Sequence, residues 1–336
     1  MYCCPNCFSD SFLKRQIRAE SSESSTCGFC GCHDADIIEA SSLFDRFAPI
    51  VDLYVIDSNG RDLGTNIQSD WATFGELDCS KIIDLLCEIT GNLELHSEKY
   101  KCKIEQDEYK LEQWQDFREE LKHQNRYFPN LIPDQEHLKN LFELLTLPVE
   151  DVPGSLYRAR INATNRSYTI EEMGMPPKDL VSNGRANPKG ISYLYSASNI
   201  KTAISEVRPF IDDTVTVVEF EVMVPLALVD LRNPKQTISP FALSEDDLSV
   251  IYQDMPFLVL LGDELAKPIV PRVADLEYLP SQYLCEFVKH IGFEGIVYRS
   301  SLAYGDNFAI FQETKMNRKK TSDYRIDAVD VSYTDA

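Results

Sequence analysis

Two C-x-x-C pairs at the N-terminus constrain the fold of this chain more than any other feature. Cys4-Pro5-Asn6-Cys7 is followed, after nineteen residues, by Cys27-Gly28-Phe29-Cys30. Paired knuckle turns of this kind present four thiolates tetrahedrally to one zinc ion, and Gly28 relieves the second turn. Four protein ligands close the coordination shell, which makes the expected site structural rather than catalytic. Disulfides are disfavoured in the cytoplasm, and a redox C-x-x-C needs no second copy. Cys3, Cys32 and His33 are near enough in sequence to act as substitute ligands. The remaining cysteines (Cys79, Cys87, Cys102 and Cys285) are isolated in apolar or amphipathic segments and read as small buried hydrophobes.

A chain of 336 residues has room for two or more domains and a full core. No apolar run reaches the roughly 18 residues of a membrane-spanning helix. MYCCPNCFSD lacks the basic and apolar regions of a signal peptide. A cytoplasmic protein with no membrane association is expected. The formal net charge of −21 argues against nucleic acid, whose phosphates require clustered Lys and Arg. The simplest role for so much negative charge is solubility.

The chain divides by texture. Residues 1–35 read as a zinc ribbon, and the segment between the two pairs, ending Ala19 to Ser25, reads as a polar loop. Residues 36–148 read as mostly helical. Ile37 to Val55 places Leu43, Phe44 and Phe47 on one helical face, ending near Pro49. Residues 57–70 are loop-like, with a turn at Asn59-Gly60. Three further helical faces follow: Ile82 to Ile89 closed by Gly91, Leu111 to Leu121, and Leu138 to Leu145. Arg118 and His123 have the spacing of a ribonuclease Arg-x4-6-His pair, but in an acidic segment a solvated helix face explains them better. From about residue 149 to 320 the texture is mixed α and β. Val215–Val222, Leu228–Leu231, Gly295–Tyr298 and Phe308–Phe311 are strand candidates, and Pro280–Val288 is a helix candidate. Residues 321–336 read as a polar tail, with fraying expected from about Asn317.

Within the α/β part, Asn183 to Pro209 carries a Gly-Arg-x-Asn-Pro-x-Gly turn. An aromatic strand ending Tyr193-Leu194-Tyr195 follows, then a helix with Glu206 beside Arg208. A cation on a glycine-framed turn followed by an isolated acid suits a nucleotide. No G-x-G-x-x-G follows a strand, so a Rossmann dehydrogenase is not supported, and no Ser-His-Asp arrangement is visible. Each feature also has a plainer explanation: Glu206 as an ion pair with Arg208, one of Tyr193 and Tyr195 as core, Ser300 as a strand-end cap.

Six blocks occur in order: Y-R-A-R from Tyr157, G-R-x-N-P-x-G from Gly184, Y-x-Y-x-A from Tyr193, A-x-x-E-V-R-P from Ala203, Y-L-P-S-Q from Tyr278 and G-I-V-Y-R-S-S from Gly295. The set resembles the RES domain over roughly residues 150–315. The C-x-x-C-F-x-D opening is similar to the HEPN-associated N-terminal domain that is often fused to it. The resemblance implies an α+β chain: an ADP-ribosyltransferase-like RES domain preceded by a zinc ribbon and a small helical domain.

The resemblance further implies an NAD+-consuming toxin or defence effector that cleaves the nicotinamide–ribose bond, with inorganic phosphate or water as acceptor. An ADP-ribosyltransferase acting on a protein or nucleotide is the alternative, and a zinc and helical binding module with an inactive pocket is a third. Carried over by motif, Glu206, Arg185 and Tyr195 are catalytic, while Arg158, Arg185, Tyr195, Ser300 and Asn307 bind substrate. Ser300 is chosen over Ser301 on motif position, and Arg160 and Arg208 are candidates for extra charge toward a phosphate. The implied partners are NAD+ and phosphate, with room for an antitoxin or regulatory partner and for an oligomer. Zn2+ at Cys4, Cys7, Cys27 and Cys30 is the expected metal.

Overall fold

The computed structural model describes residues 1–164 and 166–329. The chain forms two compact units, Met1–Leu111 with Asn233–Val259, and Glu112–Arg232 with Leu260–Ala336. Their boundaries therefore do not follow the sequence order expected from texture.

In the first unit, strands β1 (Tyr2–Cys3), β2 (Glu23–Ser25) and β3 (Ala35–Glu39) form an antiparallel sheet in the order β1-β3-β2. Helix α1 (Ser11–Glu20) packs on β3; α2 (Phe44–Val51), α3 (Leu63–Trp71) and α4 (Cys79–Thr90) follow in the chain, with β4 (Tyr54–Arg61) and β5 (Tyr100–Cys102) as a separate two-stranded pair. Asp10, Asp62 and Asp78 each accept the N–H three residues on, which caps α1, α3 and α4. Gly91 ends α4 at φ 68°, as its position after the apolar face required. The core holds Phe8, Phe47 and Phe74, with Phe47 also against Phe241 at 4.9 Å. The single turn α8 (Pro234–Thr237) belongs to this unit, and the cuts between units fall inside α5 (Glu108–His123) and α9 (Glu245–Ala266).

Four expectations for this unit fail. The segment between the cysteine pairs is not a loop but carries α1 and β2, since Asp10 caps the helix and Glu23–Ser25 pairs with β3. Ile37 and Ile38 lie in β3 rather than in a helix, because β-branched residues between two partner strands gain the ladder's bonds. Pro49 sits inside α2, and Phe44 is half exposed instead of facing the core. Residues 57–70 are strand and helix, not loop, since Asp62 supplies a helix cap immediately after the strand.

The second unit is built on a seven-stranded sheet: β6 (Ser155–Ile161), β7 (Leu194–Ala197), β8 (Thr214–Val222), β9 (Leu228–Asp230), β10 (Gly295–Arg299), β11 (Asp306–Ile310) and β12 (Met316–Arg325), in the order β12-β8-β6-β7-β11-β10-β9. Only β9 and β10 pair in parallel. Its helices are α6 (Gln135–Leu144), α7 (Ile200–Glu206), α10 (Ala274–Glu277) and α11 (Leu279–His290). Both faces are covered. On β8, Val215 and Val217 join Ala159, Ala197 and Ala203, while Val218 and Phe220 join Leu156, Leu194 and Phe308 on the other face. Leu145–Leu147 occupies the outer edge of β9, with Leu147 N–H donating to Leu228 O at 2.8 Å and Asp230 N–H to Leu145 O at 2.7 Å.

The expected frayed tail is corrected. Residues 316–325 are edge strand β12, whose register with β8 runs from Met316↔Val222 to Arg325↔Thr214. Its polarity suits an edge, because Lys319 pairs Glu221 at 2.8 Å and Lys320 pairs Glu219 at 3.4 Å across the ladder. Residues 330–336 of that expected tail lie outside the described residues.

Candidate active site

Glu206 is the last residue of α7, which Asn199 starts by accepting the Thr202 N–H at 2.8 Å. The helix stands over β6, so its C-terminal end carries the carboxylate to the rim of the sheet. There one oxygen, Oε1, accepts two bonds: from Ser300 Oγ at 2.6 Å and from Asn307 Nδ2 at 2.7 Å. Ser300 directly follows β10 and Asn307 lies on the adjoining β11, so the end of one strand and the body of its neighbour fix the acid. Ser300 Oγ also accepts the N–H groups of Leu302 and Ala303, which turns the chain sharply after β10. Ser301 is exposed and has no such contact with Glu206. The ion pair of Glu206 with Arg208 does not form among the described residues. Arg208 points to solvent at φ 50°, beyond the helix end.

Glu206 borders a cavity of about 230 Å³ lined by Tyr157, Arg158, Ala159, Tyr195, Ser196, Ala197, Ala203, Val207, Tyr298 and Asn307. Arg158 is its cation. Burial, with Arg160 nearby, pushes the guanidinium down to about 10, which leaves it charged at neutral pH. Its only bond is from Nη1 to Tyr195 O at 3.4 Å, its Nε has no partner, and no carboxylate pairs with it among the described residues. The Glu313 carboxylate acts on it without forming an ion pair, and a half-buried cation with no ion-pair partner suits an anion. Arg160 is already engaged, donating to Glu172 O at 2.8 Å and lying 4.2 Å over the Tyr168 ring.

Tyr195 turns its hydroxyl away from Glu206. It accepts the Ala186 N–H at 2.9 Å and donates to Asn187 Oδ1 at 2.7 Å, so its ring becomes a wall of the cavity. Tyr193, two residues earlier, is core, with its ring 4.7 Å from Phe311. Gly184 has no room for a Cβ, which would lie 2.4 Å from Asn187 Oδ1 and 2.6 Å from the Tyr195 hydroxyl. Arg185 is not among the lining residues. Its Nη1 donates to Lys267 O at 2.7 Å, with the Tyr278 ring 5.7 Å away.

The Y-L-P-S-Q block explains itself here. It opens α11, and Gln282 Nε2 donates to Gly184 O at 2.8 Å and Asn187 O at 3.1 Å while Ser281 Oγ donates to Arg185 O at 2.7 Å. These side chains clamp the Gly184–Asn187 turn, a job that spacing alone did not reveal. Gln282→Leu should free two turn carbonyls and destabilise the protein by about 1–3 kcal/mol; an unchanged denaturant midpoint would contradict the clamp.

The four cysteines of the first unit converge. Their sulfurs all lie within 4.8 Å of one another, with Cys4–Cys30 at 3.4 Å and Cys7–Cys27 at 3.3 Å. A zinc–sulfur bond near 2.3 Å places tetrahedral sulfurs about 3.8 Å apart, so the set fits a metal with little movement. Cys32 stays outside the cluster, accepting from Asn6 Nδ2 at 3.3 Å, and His33 bonds Thr26 at 3.0 Å. Of the isolated cysteines, Cys87 and Cys285 are buried but Cys79 is exposed. Arg118 and His123 do not meet as a ribonuclease pair: Arg118 pairs with Glu264 at 3.0 Å and His123 lies exposed beside Glu119.

Residues 155–330 match the RES domain, more than half of the chain, and the chain belongs to that family. Among solved structures, it is similar to the M. tuberculosis MbcT–MbcA toxin–antitoxin complex. That match has 14% identity and a TM-score of 0.35, and covers 57% of this chain and 93% of the other. No curated protein matches the chain.

Proposed function

We propose that the RES domain consumes NAD+ by cleaving its nicotinamide–ribose bond, with inorganic phosphate or water as acceptor. The reading is supported by one arrangement: an acid fixed by two donors at the rim of a cavity that also holds a half-buried arginine with no ion-pair partner among the described residues. Nicotinamide leaves as a neutral molecule, taking the electron pair of the C–N bond to its cationic ring nitrogen, so no proton donor is needed. The ribosyl carbon gains positive charge as that bond breaks, and the Glu206 carboxylate stabilises it. The acceptor oxygen then bonds the same carbon and loses its proton to solvent or, from phosphate, keeps its remaining charge. Arg158 suits a diphosphate oxygen, and the Tyr195 ring bounds the sugar. Arg185 serves by holding the turn behind Tyr195 rather than by lining the cavity.

Purified protein should release nicotinamide from NAD+, and release it faster with phosphate, yielding ADP-ribose 1-phosphate. Intact NAD+ with and without phosphate, in a folded sample, would overturn the reading. Transfer to a macromolecule is the second reading, favoured by the exposure of Glu206 at the rim; label from NAD+ recovered on protein or nucleic acid would select it. For the cysteine cluster, zinc is the ion that a Cys₄ set favours, in a structural role.

A further inference from the structure

Glu206 spends a single oxygen on both of its donors. Oε1 accepts from Ser300 and Asn307, while Oε2 accepts nothing among the described residues. Three further polar atoms of the same cavity are also left over: Arg158 Nε, Ser196 Oγ and the Tyr298 hydroxyl. Tyr298 lies on β10 opposite Asn307 of β11 and lines the cavity, and it is only 5% exposed. Its hydroxyl nevertheless bonds no described residue. Burial, with Tyr195 and Glu206 beside it, holds the phenol well above its ordinary pKa, so it stays a neutral O–H donor. The ring is buried but the hydroxyl is accessible and unbonded at a residue that lines the cavity, where a ligand would meet it.

Tyr298 and Oε2 of Glu206 are the complementary pair among these groups. One is a donor with no acceptor, the other an acceptor with no donor. A phosphate oxygen would satisfy the phenol but be repelled by the carboxylate. A hydroxyl has one proton to give and lone pairs to receive, so it satisfies both from one atom. We infer that Tyr298 is a substrate-recognition residue, donating to a ribose hydroxyl that in turn donates to Oε2 of Glu206. The inference rests on the NAD+ reading above and adds a selection rule to it: the site discriminates by the hydroxyl next to the reacting carbon. Tyr298 thereby also aims that hydroxyl at the acid, so the carboxylate's remaining charge is directed along the sugar toward the breaking bond.

The test is a cycle between enzyme and substrate. Wild type and Tyr298→Phe are each assayed for nicotinamide release from NAD+ and from the analogue whose nicotinamide ribose lacks the 2′-hydroxyl. Phenylalanine keeps the buried ring, and a melting curve checks the fold. The substitution should lower kcat/KM for NAD+ by about 10–100-fold and for the deoxy analogue by less than about 3-fold. Equal losses on both substrates, or no loss on NAD+, would overturn the assignment of Tyr298 while leaving NAD+ cleavage in place. Wild type that neither binds NAD+ by calorimetry nor releases nicotinamide would overturn the NAD+ reading itself, and this inference with it.

Discussion

Glu206→Gln should lower nicotinamide release by about 10²–10³-fold while leaving the melting temperature close to that of wild type. The substitution is nearly isosteric. The amide oxygen can still accept from Ser300 Oγ and Asn307 Nδ2, which now bond Oε1 at 2.6 and 2.7 Å, so the rim of the cavity keeps its shape. What disappears is the negative charge, and with it the stabilisation of a ribosyl centre that is most positive at the top of the barrier. The loss should fall on kcat, and KM should rise as well, because the amide nitrogen replaces the Oε2 acceptor proposed for the ribose hydroxyl while Arg158 and the Tyr195 ring are untouched. Ser300→Ala is the useful comparison: it removes one of two donors, leaves the charge, and should cost less. Full activity in Glu206→Gln would remove the carboxylate from the mechanism.

The second large effect is expected in the other unit. Cys7→Ser should abolish stoichiometric zinc and melt the N-terminal sheet. Structural zinc in small Cys-rich sites contributes roughly 10–16 kcal/mol of folding free energy, and losing one thiolate of four forfeits much of it. Without a cation the cluster does not hold four thiolates: the neighbouring thiols Cys27 and Cys4, together with burial, push Cys7 far above its ordinary value, while hydrogen bonds with Cys4 and Cys7 hold Cys27 far below it. Cys32→Ser is the control, since Cys32 lies outside the cluster, and it should retain the metal. Metal analysis and thermal melting with and without a chelator read both. A Cys7→Ser protein that keeps one zinc per chain and wild-type melting would exclude the site.

The sequence carried the local signals of both sites and few of the long-range ones. The knuckle spacing announced the Cys cluster, and the strand and helix patterns of the second unit were strong enough to place β8, β10, β11 and α11. Strand β12 was hidden because its stabilising groups are ion pairs with a partner strand about 100 residues away, which look like an ordinary polar run when read alone. Strand β4 and helix α3 were hidden behind turn-forming residues, Asn59, Gly60 and Asp62, one of which is a helix cap rather than loop. At the candidate site, motif order singled out Glu206, Ser300 and Asn307, but not that one carboxylate oxygen takes both donors. It gave Arg185 a place beside the substrate, whereas the guanidinium reaches a backbone carbonyl. Tyr298 passed unnoticed inside its block, since nothing in a strand's alternation tells a core phenol from one facing a cavity.

The donors that fix Glu206 lie 94 and 101 residues after it in the chain. On the ribosome, α7 emerges long before β10 and β11, and at about 5–20 residues per second the interval is many seconds. Throughout it the acid has neither of its two anchoring partners, and the wall that Tyr298 and Asn307 supply does not exist. An unfinished chain is consequently harmless to the cell's NAD+ pool on the proposed mechanism. On that mechanism, a chain that ends before β11 lacks Asn307, one of the two donors to Glu206 and part of the cavity wall.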